Sequence, residues 1–380
     1  MSWWQLIKAE IQAIFSNPAI VLTVFGGVIF YSFLYPLPYA QQTPREQAVA
    51  VVNLDGSQMS RELERMADAT PQVNIVARVS SIDTAKQLFL DGEVSGILVI
   101  PAHFYRDLLQ GKSPVLSFAG DASYFLVYGT VVEGLATAGG TLAAKASVSR
   151  LVMSGQSLVL AAEQYSAVKL NLKPTFNPTS GYVNYVVPAV FVLILHQTLI
   201  MAVGLLGGTQ KQEKVGYWQR VSRARLLLVR SVVFSVIYVF LTMYYFGFSF
   251  DYYNISRLAE PVSLFILLTP FLLSAIMLGA ILGQIVPRRD IVTLIVLLSS
   301  MPLVFTAGFV WPESALPELI HWVAQAIPST PAIKGFVSMN QMGADFGDVR
   351  HLWLQLWFLG ILYGVIALFV FPKKQSESVT

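Results

Sequence analysis

VNYVVPAVFVLILHQTLIMAVGLL, residues 183–206, is a segment of the chain that contains no charged side chain. The hydrocarbon core of a bilayer is about 30 Å thick, and a helix needs about 20 apolar residues to cross it. Five further apolar runs have a similar length, and they are Ala19–Tyr35, Leu226–Phe248, Val262–Val286, Ile291–Trp311 and Leu352–Phe371. None of the six runs contains Asp or Glu. The sequence therefore predicts an α-helical integral membrane protein with six transmembrane helices.

The first run has a second interpretation as the core of a signal peptide. The segment before it holds one Lys and one Glu, and Pro38-Tyr39-Ala40 is a poor small-residue cleavage site. We therefore favour a retained membrane anchor.

The composition excludes several classes of protein. Of the 380 residues, 55% are hydrophobic and 12% are charged, whereas soluble domains carry about 25% charged residues. An ordinary soluble enzyme is therefore excluded. A net charge of +3 gives no basic character that would point to nucleic acid. Cysteine is absent, which excludes thiolate nucleophiles and Cys-based metal sites.

The segment between the first two apolar runs has the composition of a water-exposed domain, with 11 Lys or Arg and 12 Asp or Glu between residues 40 and 175. Strand-like runs at 48–52, 73–79, 94–100 and 115–118 alternate with helical patterns at 57–69, 82–90 and 104–109. This alternation predicts an inserted extracytoplasmic α/β domain. A long helical stalk, interrupted near Gly139-Gly140, is expected to follow it.

The orientation follows from the distribution of Lys and Arg in short loops. With a cytoplasmic N-terminus, eleven cations lie inside, namely Lys8, Lys211, Lys214, Arg220, Arg223, Arg225, Arg230, Arg288, Arg289, Lys373 and Lys374. Only Arg257, Lys334 and Arg350 lie in the outer short loops. Both termini are therefore expected inside, and the α/β domain outside the cytoplasm.

The predicted organisation has five parts. Residues 1–18 form an interfacial amphipathic helix, or alternatively an extension of the first span. The remaining parts are the first span at 19–35, the extracytoplasmic domain at 36–178, five spans at 179–371 and a cytoplasmic tail at 372–380. Within the five spans lie a cytoplasmic loop at 207–225 and short helices at 312–350 that lie at, or re-enter, the outer interface.

Two features could carry function. The loop at 207–225 is basic and contains Tyr217 and Trp218; it suits anionic lipid, a cytoplasmic partner, or both, and we expect it to be helical. His196 is expected to be the only ionisable side chain in mid-membrane, beside Gln197. It either packs as a neutral, hydrogen-bonded imidazole or lines a substrate path. We find no catalytic cluster, and the Glu318/His321 pair is a weak metal motif, so neither a catalytic site nor a metal site is predicted.

Several short motifs occur together in a characteristic order. The first group is Val52-Asn53-Leu54-Asp55-Gly56-Ser57, Ser60-Arg61, Ile100-Pro101, Phe104, Arg106-Asp107-Leu108-Leu109, Gly111 and Asp121. Two further motifs follow later in the chain. The first is Phe176-Asn177-Pro178 with Tyr185-Val186-Val187-Pro188, and the second is Ile327-Pro328-Ser329-Thr330-Pro331. In this order the chain resembles ABC-2 type permeases, in particular the bacterial branch with a large extracytoplasmic domain after the first span.

This resemblance implies the membrane subunit of an exporter in the bacterial inner membrane. Its partners would be a second permease copy, homologous or identical, and cytoplasmic ATPase subunits, which would bind ATP and Mg²⁺; this chain would need no cofactor. A periplasmic adaptor and an outer-membrane channel remain open as further partners. The ATPase-coupling residues would be Lys211, Glu213, Lys214, Gly216, Tyr217, Trp218, Arg220 and Arg223. The loop departs from the family pattern because Gly216 is not followed by Thr.

Two other classes of function compete with the exporter. A sensor or assembly factor whose outer domain binds a partner explains the large domain but not the five later spans. A secondary carrier would need acidic groups within the spans, and the apolar runs contain none. The substrate stays open, with drug-like or amphiphilic molecules as one suggestion from the aromatic spans.

Overall fold

The computed structural model describes residues 1–40, 44–165, 175–177, 181–213 and 215–371. The chain divides into two compact units, a membrane unit (Met1–Gln42 with Pro174–Thr380) and an α/β unit (Thr43–Lys173).

The membrane unit begins with two separate helices, α1 (Trp3–Phe15) and α2 (Pro18–Tyr39). Asn17 is extended between them, and its side chain accepts a hydrogen bond from the Ala19 backbone amide, which starts α2. The N-terminal segment is thus not an extension of the first span. A π-helical segment, Leu22–Gly27, lies within α2.

Helix α1 buries one narrow face. Its interior residues are Leu6, Glu10 and Ile14, which are spaced four apart and so share one face. The aromatic side chains of Trp4 and Phe15 are exposed. A carboxylate therefore faces the protein, while apolar side chains face outward.

The α/β unit contains a four-stranded sheet in the order β2–β1–β3–β4. Along the chain its elements are β1 (Gln47–Asn53), α3 (Gln58–Asp68), β2 (Val73–Val79), α4 (Ile82–Leu90), β3 (Gly96–Ile100), α5 (Phe104–Leu109), β4 (Ser117–Gly120), α6 (Phe125–Met153) and α7 (Leu158–Tyr165). Strand β1 pairs in parallel with β2 and β3, and β4 runs antiparallel to β3.

Helix α6 is continuous through the glycines that were expected to interrupt it. A Cβ at Gly134 would lie 3.0 Å from side-chain atoms of Thr70, Gln72 and Val73, so this glycine lets the helix approach β2 closely. Val131 and Leu135 of α6 belong to the same core as the β1 and β3 side chains. The predicted interruption near Gly139-Gly140 is therefore wrong, because both residues lie within one continuous helix.

The membrane unit continues with seven helices. They are α8 (Val186–Gln212), α9 (Arg223–Tyr252), α10 (Pro261–Ile285), α11 (Arg289–Thr306), α12 (Glu318–Gln325), α13 (Ser329–Met342) and α14 (Phe346–Val370). Helix α8 is the central helix, because it packs on α10, α11 and α13 and is buried along most of its length. A second π-helical segment, Tyr244–Ser249, lies within α9.

Seven helices in the described part of the chain are long and apolar enough to cross a membrane. Six of them (α2, α8, α9, α10, α11 and α14) belong to the membrane unit and correspond to the six predicted runs. The seventh is α6, which belongs to the α/β unit. Helix α11 ends at Thr306 rather than at the predicted Trp311, and Gly308 adopts a positive φ of 85° just beyond it.

The two helices expected near the outer interface behave differently. Helix α12 exposes the apolar side chains of Leu319, Trp322 and Val323, as an interfacial helix would. Helix α13 instead packs against α8, α10 and α14 and buries Ile333 and Phe336.

Close approach of α8 and α10 depends on glycine. A Cβ on Gly283 would lie 2.5 Å from the carbonyl oxygen of Gly204, and one on Gly279 would lie 2.8 Å from that of Ile200. Gly279 and Gly283 form a small-xxx-small pair, the pattern by which membrane helices bring their backbones together.

Candidate functional site

The loop between α8 and α9 is shorter than the sequence suggests. Of the predicted loop 207–225, the first residues extend α8 to Gln212, and α9 begins at Arg223. Between them lies one 3₁₀ turn, Tyr217–Arg220. The expected separate helix is therefore absent from the described part of this loop, because its ends are absorbed by the two long helices. Lys214 lies outside the described residues.

A buried polar network connects this turn to three helices. The guanidinium of Arg230 (α9) donates to Glu10 Oε1 (α1) from Nε at 3.1 Å and from Nη2 at 2.9 Å. Its Nη2 also donates to Gln210 Oε1 (α8) at 2.5 Å. The Tyr217 hydroxyl donates to Glu10 Oε2 at 2.8 Å and accepts from Gln210 Nε2 at 2.8 Å. Four side chains from α1, α8, α9 and the turn are thus joined around one carboxylate.

The network is buried, so its ion pair between Glu10 and Arg230 is costly to separate. The side chains of Glu10 and Arg230 have no solvent exposure, and Gln210 is 5% exposed. A charge removed from water needs a close opposite charge and further hydrogen bonds. Glu10 and Arg230 each provide the opposite charge and the hydrogen bonds that the other needs, so the pair holds α1 against α9.

The Tyr217 hydroxyl is kept protonated by its surroundings. Burial raises the pKa of Tyr217 well above 10.0, and the negative charge of Glu10 raises it further. Because a protonated phenol can donate, the hydroxyl bridges Glu10 and Gln210 over the whole physiological pH range.

Arg230 corrects the expectation about ionisable groups in the spans. It was counted among the cytoplasmic cations, and His196 was expected to be the only ionisable side chain in mid-membrane. The run Leu226–Phe248 nevertheless includes Arg230, and the structure buries it. The free-energy cost of burying this charge is offset by the ion pair with Glu10, which lies on α1 outside that run.

Two predicted coupling residues have structural roles. Lys211 Nζ donates to the carbonyl oxygens of Gln284 and Val286, at 2.7 and 2.9 Å, where α10 ends. Arg223 Nη1 donates to the Leu368 carbonyl oxygen in the last turn of α14, at 2.8 Å. Cations at helix C-termini satisfy free carbonyl groups and favour the helix dipole. Both side chains therefore join helix ends at this end of the bundle.

Gly216 and Trp218 form one packed unit. A Cβ on Gly216 would lie 2.1 Å from atoms of the Trp218 ring, so a side chain at position 216 would displace the indole. The Trp218 ring packs edge-to-face on Tyr217, with centroids 5.3 Å apart. Nearby, the guanidinium of Arg225 lies 4.4 Å from the centroid of the Trp3 ring, a cation–π contact that also connects α1 to α9.

The remaining loop side chains are available at the surface. Glu213, Val215 and Arg220 are exposed. Beside them is a cavity of about 560 Å³ between α1, α8 and the turn, lined by Gln12, Asn17, Glu213, Tyr217, Trp218 and Arg289 among others. The arrangement can accept a protein surface from outside the bundle, with the buried network directly behind it.

Of the two predicted substrate-path residues, His196 is buried inside the bundle and Gln197 is half-buried. His196 is 1% exposed, and its ring lies 6.2 Å from the Phe271 ring of α10. Neither ring nitrogen has a hydrogen-bond partner among the described residues, and neither has Gln197 Nε2. The packed alternative predicted a hydrogen bond to a neighbouring helix, and the part of the chain that the structure describes contains no such hydrogen bond.

A larger polar cavity lies at the opposite end of the membrane unit from the loop between α8 and α9. It has a volume of about 740 Å³ and is lined by Glu313, His321, Lys334, Asp348, His351 and Gln355 among others. Lys334 and Glu313 form an ion pair across it. Within the described ranges no three His, Asp or Glu side chains come together in a group that could hold a metal ion.

The sequence analysis missed Glu10, Gln210 and Arg230 as functional residues. The spacing of Glu10 with Leu6 and Ile14 was an available signal for the inward face of α1. The pairing with Arg230 was not available, because the two residues are 220 positions apart.

Comparison with known proteins decides the family. The family model described as ABC-2 family transporter protein matches residues 18–369. The chain belongs to the ABC-2 transporter family. The predicted resemblance is thereby confirmed. No curated protein and no solved structure gave a match.

The family assignment gives the chain a general role. An ABC-2 permease is a membrane transport component and is not itself catalytic, and the family generally works with an ATPase partner. The family match includes Gln210, Tyr217 and Arg230, whereas Glu10 lies before the first matched residue. The buried network of this permease therefore extends beyond the part that defines the family.

Proposed function

We propose that this permease is the transmembrane subunit of an exporter in the bacterial inner membrane, powered by a separate ATPase. The proposal places both termini and the loop between α8 and α9 in the cytoplasm, and the α/β unit in the periplasm. The excess of Lys and Arg on the loop side supports this orientation. A homo- or heterodimer of permeases would form the transport path.

The observation that carries the coupling proposal is the position of the Glu10–Arg230 network directly behind an exposed turn. The ATPase would contact Glu213, Val215 and Arg220, which are exposed. Because Tyr217 bonds to Glu10 and Gln210, a displacement of the turn would move α1, α8 and α9 together. Lys211 and Arg223 would carry the same displacement to the ends of α10 and α14.

The network therefore acts in this proposal as a mechanical connection and not as a chemical site. ATP binding and hydrolysis occur in the partner, and the permease converts the movement of its cytoplasmic end into a change of the path between the helices. The exposed apolar face of α1 keeps that helix in the lipid interface while its inward face follows the turn.

The experiment is a mild-detergent pull-down of the tagged full-length chain from its native membrane, followed by mass spectrometry. We expect a P-loop ATPase in stoichiometric amount. In Arg220→Glu the ATPase should be lost while the amount of chain in the membrane stays unchanged. Arg350→Glu, an exposed cation on the opposite side in our orientation, is the matched control and should retain the ATPase.

Two results would contradict the proposal at different points. Retention of the ATPase by Arg220→Glu and by a Val215→Asp variant would show that the coupling surface is elsewhere. A wild-type chain that repeatedly purifies without an ATPase would favour the alternative of a sensor or assembly factor. A co-purifying adaptor or channel protein would identify a periplasmic partner of the α/β unit.

A further inference from the structure

A second cavity in the membrane unit has the properties of a binding site for an apolar molecule. It has a volume of about 470 Å³ and lies between α9, α10 and α13, with walls formed by Met243, Phe246, Leu264, Phe265, Leu268 and Phe336. Ligand sites in proteins have volumes of roughly 300–1,000 Å³, so a hydrocarbon chain or a drug-sized molecule fits.

The cavity reaches from the interior of the bundle to its surface. Phe246, Leu268 and Phe336 are buried, whereas Met243 and Phe265 are 54% and 44% exposed. These two side chains lie on helices that are long and apolar enough to cross a membrane, so we expect the open side of the cavity to face lipid. A molecule dissolved in the bilayer can therefore enter sideways.

One polar group in the wall lacks a partner. Asn340 is 1% exposed, and its Nδ2 has no hydrogen-bond partner within the described residues. Its backbone carbonyl is fixed, since it accepts from the Leu258 amide at 3.0 Å. A buried amide donor is costly to leave unsatisfied. An oxygen acceptor on a molecule in the cavity would satisfy it.

The rim of the cavity is polar. Arg257 lines the cavity and forms an ion pair with Asp251, at 2.7 Å between Nη2 and Oδ1. Pro261, the first residue of α10, is also part of the lining. The rim therefore lies where helices end and presents the guanidinium of Arg257.

We propose that this cavity binds an amphiphile whose hydrocarbon body lies against the aromatic and aliphatic walls and whose carbonyl oxygen accepts a hydrogen bond from Asn340. A phospholipid acyl ester and a transported amphiphile share this chemistry, so the test must separate them. The inference goes beyond the transport role, and binding to the permease alone does not depend on an ATPase.

The test uses the full-length chain in lipid nanodiscs with three photoreactive probes that carry the same diazirine-containing chain. One probe is a fatty amide, one is a phosphatidylcholine, and one is an alkane without a carbonyl group. Leu264→Trp fills the cavity, and Val262→Trp, at an exposed position on the same helix outside the lining, is its matched control. Asn340→Leu removes the donor at similar volume. Labelled peptides are mapped by mass spectrometry.

We expect carbonyl-containing probes to label peptides of α9, α10 and α13 in the wild type and in Val262→Trp, but not in Leu264→Trp. Asn340→Leu should reduce this labelling roughly three- to tenfold, the range expected for one hydrogen bond, and leave the alkane probe unaffected. Labelling by phosphatidylcholine would identify a lipid as the occupant, and labelling by the amide alone a transported amphiphile. Equal labelling in Leu264→Trp and Val262→Trp would overturn the proposal, as would an unchanged ratio of amide to alkane labelling in Asn340→Leu.

Discussion

The carboxylate of Glu10 lies 2.9 Å from the guanidinium of Arg230, and neither side chain is exposed to solvent. Helix α1 precedes the first span, and α9 is the third span of the membrane unit. The pair therefore joins the N-terminal helix to α9, together with the contact between Arg225 and Trp3. Buried ion pairs are weak evidence of net stabilisation, but the loss of one partner is costly.

We expect Arg230→Met or Glu10→Leu alone to destabilise the permease by about 3–5 kcal/mol, because each leaves one uncompensated buried charge. The double variant Glu10→Leu/Arg230→Met should recover most of the loss. Thermal unfolding of the detergent-solubilised chain measures the effect. Losses in the single variants that add in the double variant would show that the two side chains act independently.

Tyr217→Phe should change how stability depends on alkaline pH. Burial and the charge of Glu10 raise the pKa of Tyr217 in the folded chain. The contribution of its hydroxyl to the free energy of unfolding is therefore complete below the pKa of tyrosine in the unfolded chain, about 10. Above that pH the unfolded chain loses the proton first, and the wild type loses stability as pH rises. The phenylalanine variant lacks this contribution.

The measurement is the difference in unfolding temperature between wild type and Tyr217→Phe at several pH values from 8 to 11. The advantage of the wild type, worth about 1.5–3 kcal/mol for a hydrogen bond to a charged group, should shrink above pH 10. Tyr124→Phe, at an exposed position in the α/β unit, is the control. A difference that stays constant with pH would be incompatible with a buried, bridging hydroxyl.

Gly283→Ala should separate α8 from α10. The added Cβ would lie 2.5 Å from the backbone oxygen of Gly204. A backbone atom cannot relieve this clash by changing rotamer, as a side chain could. Overpacking of this kind costs about 1–3 kcal/mol or more. Gly247→Ala is the control, because a Cβ there meets nothing within 4 Å. Unfolding temperatures of the two variants should differ clearly, and equal values would contradict the close helix contact.

His196→Leu is expected to leave stability unchanged or to raise it. The imidazole is buried without a hydrogen-bond partner among the described residues, and an unsatisfied buried polar group costs about 1–3 kcal/mol. Thermal unfolding checks the sign. A marked loss of stability would reveal an interaction that the isolated chain lacks, such as one with a second permease copy. Transport by the same variant tests the substrate-path alternative.

Local sequence patterns predicted individual elements well. The strand Val73–Val79 and the helices Ile82–Leu90 and Phe104–Leu109 have the predicted bounds, because periodicity and turn residues act over a few positions. The apolar runs located the long helices of the membrane unit for the same reason.

Tertiary contacts explain what the patterns could not show. Hydropathy places charges at the ends of helices, so Arg230 was assigned to the cytoplasmic side, and Glu10 was assigned no function. Only the fold shows that they neutralise each other. Lys211 and Arg223 likewise had the pattern of a docking loop, and their actual acceptors are carbonyl groups of distant helices.

The separation of Glu10 and Arg230 also sets an order of events during biosynthesis. The two residues are 220 positions apart, and a ribosome adds about 5–20 residues per second, so Glu10 waits on the order of 10 to 40 s for its partner to emerge. During that interval α1 lacks the guanidinium that pairs with its carboxylate in the folded chain. Its docking is therefore a late step of assembly, completed only after the second and third spans of the membrane unit have inserted.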